Sequence, residues 1–108
     1  MTIQGHYGAW FDKVTVDGAP LSPAASQRLY NHSPGGFAWG YAGSGPAQLA
    51  LAILLVAGVS AQNAMALHQE FERQFIQGLP QRGDWHLEVD AVGWAIDEMR
   101  KIGAFVRT

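Results

Sequence analysis

The chain has 108 residues, a formal charge of -2 from nine acids and seven bases, and a 48% share of hydrophobic residues. That length bounds a single domain, 1–108, with one core, and four Trp, three Tyr and five Phe are ample to fold it. With no cysteine there are no disulfides, thiolate nucleophiles or Cys-containing zinc sites, and without a basic stripe nucleic acid is an unfavoured partner.

The start, MTIQGHYGAW, has neither a basic nor a long apolar leader region, so no signal peptide is expected. HYGAWF (6–11) and KVTVD (13–17) read as two strands of a hairpin turning through Asp12-Lys13, and Asp17-Gly18 ends the second. Ser22-Pro23 supplies an N-cap and a first-turn proline for AASQRLYNH, a helix of about two turns. It should stop before Ser33, because the residue preceding a proline is pushed out of the helical region.

Ser33-Pro34-Gly35-Gly36 has the residue order of a type II turn. From Phe37 to Tyr41 aromatics alternate with Ala38 and Gly40, the pattern of a short extended piece. Ala42 to Pro46 then breaks regular structure, with Ser44 or Gly45 capping the next helix. That helix, from Pro46 to Ala57, carries no charge on any face, so it must be enclosed at the centre of the fold. The apolar run Pro46–Val59 is 14 residues long, short of the ~20 that cross a bilayer. No membrane segment is expected, and a cytoplasmic location is the default.

Residues 61–77 form an amphipathic helix with Ala61, Ala64, Met65, Leu67, Phe71 and Phe75 on one face; Glu70, Glu72 and Arg73 are assigned to the other. Gly78-Leu79-Pro80 stops it. WHLEV (85–89) alternates as a strand with Trp85, Leu87 and Val89 inward. Asp90 caps a last helix, about 91–102, and Ala104-Phe105-Val106 is a tail or edge strand. The fold expected is α+β: a small antiparallel sheet of about three strands packed against a central buried helix and two further amphipathic helices.

Leu29 to Gln69 contains no Asp, Glu, Lys or Arg, and five of the 13 glycines fall between positions 35 and 45. The loop within that run supplies the candidate ligand- or partner-binding residues: Asn31, His32, Ser33, Trp39, Tyr41, Gly43, Ser44 and Gly45. Gly43-Ser44-Gly45 before a helix can offer backbone N–H groups to a phosphate or carboxylate. There is no nearby lysine and no GxxxxGK[ST] pattern to support that use. The plainer explanation is that the glycines let a tight loop pass close to aromatic rings. His6, His32, His68 and His86 form no local ligand pair, so no metal and no cofactor is expected.

A catalytic use of Ser33 or Ser44 with His32 lacks an acid close by, the nearest after His32 being Glu70. Asp84 or Glu88 would have to arrive from afar. Phe37, Trp39 and Tyr41 are a recognition face if exposed and core if not, with Tyr41 the better placed for exposure. The acidic balance favours a protein partner, and a homodimer through an apolar patch is left open.

Asn31-His32-Ser33-Pro34, Gly36-Phe37, Trp39-Gly40-Tyr41 and Gly43-Ser44-Gly45-Pro46-Ala47-Gln48-Leu49-Ala50-Leu51 together resemble the signature of a family of small uncharacterised bacterial and phage proteins, a domain of unknown function. The Tyr-x-Gly piece at His6-Tyr7-Gly8 and the terminal Trp-bearing strand and helix extend that resemblance over nearly the whole chain. It implies no catalytic or binding role for any residue. Occurrence in phage and mobile elements implies an accessory protein acting on a host or phage macromolecule, for example an inhibitor of a host defence system. The expectation is therefore a non-enzymatic binding or regulatory protein with residues 31–45 as its contact surface. The alternatives are a small enzyme or nucleotide/phosphate-binding protein using Ser44-Gly45 and His32, and a structural or assembly protein.

Overall fold

A computed structural model of the protein describes residues 1–8 and 13–103. Four strands, β1 (Thr2–Gly5), β2 (Val14–Val16), β3 (Ala19–Pro20) and β4 (Trp85–Glu88), form one antiparallel sheet in the order β3-β2-β1-β4. The helices are α1 (Ala24–Leu29), α2 (Ser44–Val56), α3 (Ala61–Phe71), and α4 (Ala91–Lys101). A π-helical turn, Glu72–Ile76, prolongs α3. The α+β class expected from the sequence is the one observed.

The first strand lies earlier than expected. Thr2–Gly5 takes the place beside β2 that HYGAWF was to fill, with Ile3 opposite Val16 and Gly5 opposite Val14. The short run TIQG alternates, burying Ile3 and exposing Gln4. Chain direction changes after Gly5: His6 N–H still bonds the Lys13 carbonyl at 2.7 Å, and Gly8 has φ +80. The rest of the expected strand, and the Asp12-Lys13 turn, fall at least partly on residues 9–12, outside the described residues.

Asp17-Gly18 does more than end β2. Both residues have positive φ, 49° and 84°, which makes the two-residue turn that folds Ala19–Pro20 back on Val16 and Thr15. Among the described residues the sheet therefore has four strands. At the other edge, β4 pairs with β1 in the alternation read from sequence, Trp85 buried and His86 and Glu88 exposed.

α2 is the hub. Every residue from Gly45 to Leu54 is buried, as the absence of charge demanded. It begins at Ser44, earlier than Pro46, with extended Gly43 as its N-cap and no side-chain cap. Its end agrees with expectation, with Gly58 at φ +100 and the Ser60 hydroxyl accepting Asn63 N–H to start α3. α1 is shorter than expected, because Tyr30 is already extended. The Ser22 hydroxyl does serve its start, accepting Ala24 N–H at 3.1 Å.

α4 begins at Asp90, whose carboxylate accepts Gly93 N–H at 3.0 Å. Trp94 packs edge-on to Phe71 and Phe75, and its indole N–H bonds Gln74 Oε1 at 3.0 Å. The expected tail Ala104-Phe105-Val106 lies outside the described residues. Among the described residues no helix is long and apolar enough to cross a membrane.

Candidate functional site

The uncharged loop is pinned to the helices at several points, and one of them is the one buried polar side chain of α2, Gln48. Gln48 is fully buried and makes three hydrogen bonds. Its amide NH2 donates to Ser26 Oγ at 2.9 Å and to the Tyr30 carbonyl at 3.0 Å, and its Oε1 accepts Ser33 N–H at 3.0 Å. The turn beginning at Ser33 is closed by Gly36 N–H to the Ser33 carbonyl at 3.1 Å. Positive φ falls on Gly36 (103°) and not on Gly35, so this is not the type II turn expected. Gln27 adds a bond to the Ser33 carbonyl at 2.9 Å.

Further along, Phe37 to Tyr41 is irregular and not a strand. Trp39 is buried, edge-on to Trp85, and its indole N–H donates to the Pro80 carbonyl at 3.0 Å. Gly40 N–H bonds the Ile76 carbonyl at 3.0 Å.

Across from the loop stand two residues of one face of α3 and its π-helical extension, His68 and Glu72, both buried. His68 Nδ1 lies 3.0 Å from the Met65 carbonyl, which can only accept. Nδ1 therefore carries the proton and Nε2 is an acceptor. His32 Nε2, at 2.8 Å from His68 Nε2, must then be the donor. The two ring centroids are 4.9 Å apart, so the rings meet nearly head-on, as a shared N–H···N bond requires. Among the described residues no three His, Asp or Glu converge as a metal-ligand set.

Glu72 accepts Gly43 N–H at 3.1 Å and places its carboxylate at the N-terminus of α2. The helix dipole favours a negative charge there by about 0.3–1 kcal/mol. An intramolecular carboxylate thus takes up the position that a phosphate would have used.

Together these contacts shape an open cleft of about 640 Å³ lined by Tyr30, Asn31, His32, Gly43, Ser44 and Glu72, with Gln69, Arg73 and Gln77 at its side. Of the eight sequence candidates, Asn31, His32, Gly43 and Ser44 line it. Ser33 holds the loop through its backbone. Gly45 is buried under Ala38, whose Cβ would lie 2.6 Å from any added Cβ. Trp39 belongs to the core, and Tyr41 is exposed beyond the cleft with its ring against Gly43.

Neither acid looked for at a distance comes here. Asp84 accepts Tyr7 N–H at 2.7 Å, and Glu88 accepts the Thr2 hydroxyl at the sheet edge. The acid present is Glu72, which its sequence pattern had placed on the polar face of the helix. His68 and Glu72 stand one turn apart beside the stripe formed by Ala64, Leu67 and Phe71. A polar pair spaced four apart along the margin of an apolar stripe was the signal available.

Burial and the neighbouring His68 hold the His32 pKa below its ordinary value of 6.5, with Glu72 pulling the other way. A depressed histidine pKa means the unfolded chain takes up the proton first as pH falls. Its contribution to stability is intact above pH 6.5 and declines as pH drops below 6.5 toward the folded-state value. Thermal unfolding of the wild type should therefore lose stability through that window, and His32→Ala should remove part of the loss.

A family model described as a family of unknown function, DUF6166, matches residues 5–98. The chain belongs to this family. The matched span takes in the whole loop, Gln48, His68 and Glu72, so the complete cleft lies within the family's domain. No curated protein and no solved structure matches the chain.

Proposed function

We propose that this member of DUF6166 is a non-enzymatic binding or regulatory protein that takes a polar segment of a protein partner into the cleft between the Asn31–Ser44 loop and α3. The observation that carries this reading is the contrast between how firmly the loop is held and how open the cleft is. Gln48, His68 and Glu72 fix the loop before any partner arrives, so little ordering is lost on binding. The exposed groups at the opening suit a protein partner. Asn31 and Ser44 supply donors and acceptors, and exposed Tyr30 supplies aromatic surface with a polar tip; Tyr41, exposed beyond the cleft against Gly43, extends that surface.

An enzyme or phosphate-binding protein using Ser44-Gly45 and His32 is the weaker reading. The His32 Nε2 proton is committed to His68, and the carboxylate of Glu72 at the helix start repels a second anion. Such a binding role suits an accessory protein of a bacterium or phage acting on a cytoplasmic protein.

The test is recovery of a partner from host lysate on immobilised wild type and on the double variant His32→Ala/Tyr41→Ala, with circular dichroism establishing that both are folded. The expected result is a partner retained by the wild type and reduced at least about tenfold on the variant, the loss of about 1.4 kcal/mol. Equal recovery on both would place the contact surface elsewhere.

A further inference from the structure

The two histidines that clasp the loop to α3 have a chemical capacity beyond one hydrogen bond. His32 and His68, 36 positions apart in the chain, present their Nε2 atoms to each other at 2.8 Å. Imidazole is the commonest protein ligand for transition metals, so two ring nitrogens that face one another are half of a four-coordinate set.

The surroundings of the pair suit that use. His68 donates Nδ1–H to the Met65 carbonyl at 3.0 Å, the outer bond that fixes a ligating ring and leaves its Nε2 as a bare lone pair. Among the described residues His32 bonds only through Nε2, so its proton can pass to Nδ1 and free the second lone pair without any change of charge. Burial and His68 hold the His32 pKa below 6.5, which keeps this ring neutral, as a ligand must be, at pH 7. Glu72, buried one turn beyond His68 and bonded to Gly43 N–H, brings a negative charge that acts on His32 and offsets that of a cation.

The distances need little adjustment. Tetrahedral Zn–N bonds of about 2.0–2.1 Å set the two nitrogens about 3.4 Å apart and the ring centroids about 5.2 Å apart. The pair stands at 2.8 Å and 4.9 Å, so His32, half-buried on its loop, has to withdraw by only about half an ångström and tilt. No third His, Asp or Glu converges on the pair among the described residues, and His32 lines the open cleft. The cleft is therefore the entry path, and water completes the coordination, as in an exchangeable site and unlike a closed structural one.

We propose that His32 Nε2 and His68 Nε2 bind one divalent transition-metal ion of the kind imidazole suits, such as Zn²⁺, with water from the cleft in the remaining positions. The ion takes the place of the shared proton in the clasp between the loop and α3. This goes beyond the partner-binding reading and does not depend on it, since a metal titration of the isolated chain involves no partner.

Calorimetric titration of the untagged full chain with Zn²⁺ at neutral pH tests the proposal, together with NMR of the histidine ring nitrogens. One ion per chain should bind, and the Nε2 resonances of His32 and His68 should shift while those of His6 and His86 stay in place. His32→Gln removes the imidazole but keeps an amide able to donate to His68 Nε2. It should retain the wild-type circular dichroism and bind Zn²⁺ at least about tenfold more weakly. No binding at millimolar Zn²⁺ overturns the proposal, as does undiminished binding by His32→Gln. Ring shifts confined to His6 and His86 overturn it as well, and that readout needs only the wild type.

Discussion

Gln48→Leu should lower stability by about 3 kcal/mol, although leucine matches glutamine in size and is the better residue for an apolar helix. The amide makes bonds to Ser26 Oγ, the Tyr30 carbonyl and Ser33 N–H, and leucine abandons all three. Each partner left unsatisfied in a buried place costs about 1–3 kcal/mol. The Tyr30 carbonyl lies nearest the surface and regains water most easily, so its share falls at the low end. Leucine's greater apolar burial offsets about 1 kcal/mol of the total. For a domain of this size the result is a fall in Tm of roughly 10–20 °C, which thermal and urea denaturation both measure. A change near zero would mean that the loop contributes nothing to the folded state.

Gly40→Ala should be destabilising by about 2–4 kcal/mol for two separable reasons. Gly40 has φ +84, where a side chain is strained. Its Cβ would also fall 2.6 Å from Gln81 Cα and 2.7 Å from the Leu79 carbonyl oxygen, backbone atoms that cannot swing aside. Gly36 separates the two effects. It also has positive φ, 103°, but an added Cβ there meets nothing within 4 Å. Gly36→Ala should therefore show the conformational strain alone, about 1–2 kcal/mol. Urea denaturation of both variants checks the order. Equal losses would show that the segment around Gln81 does not pack on Gly40.

Much of the architecture was legible because it is written in periodicity and in caps. The uncharged Pro46–Ala57 run could only be central, and Asp90, Ser60 and Gly58 marked helix ends through local chemistry. Val14, Val16, Trp85 and Leu87 announced strands by alternation. The features that no sequence pattern announced depend on contacts between distant residues. Thr2–Gly5 is too short to show a period, and its strand character comes from pairing with β2 and β4 on either side. α1 stops at Leu29 while the Tyr30 carbonyl bonds Gln48, a residue 18 positions away.

The candidate site divides along the same line. The loop was visible as a run of glycine, serine and aromatics without charge. Which of its residues face outward was not, because Trp39 is buried by Trp85 and Pro80, and Gly45 by Ala38. His68 and Glu72 were hidden for another reason. Both types usually mark the solvent face of a helix, and only the approach of His32 and Gly43 offsets the cost of burying them.

The central claim is that the cleft is built before any partner binds, and amide hydrogen exchange in the free protein tests it most directly. Ser33 N–H, bonded to Gln48, and Gly43 N–H, bonded to Glu72, should exchange slowly in the wild type, close to the amides of α2. In Gln48→Leu, Ser33 should become fast while the centre of α2 stays protected. Exchange of Ser33 and Gly43 at unprotected rates in the wild type, beside a protected α2, would contradict the claim and remove the preformed cleft.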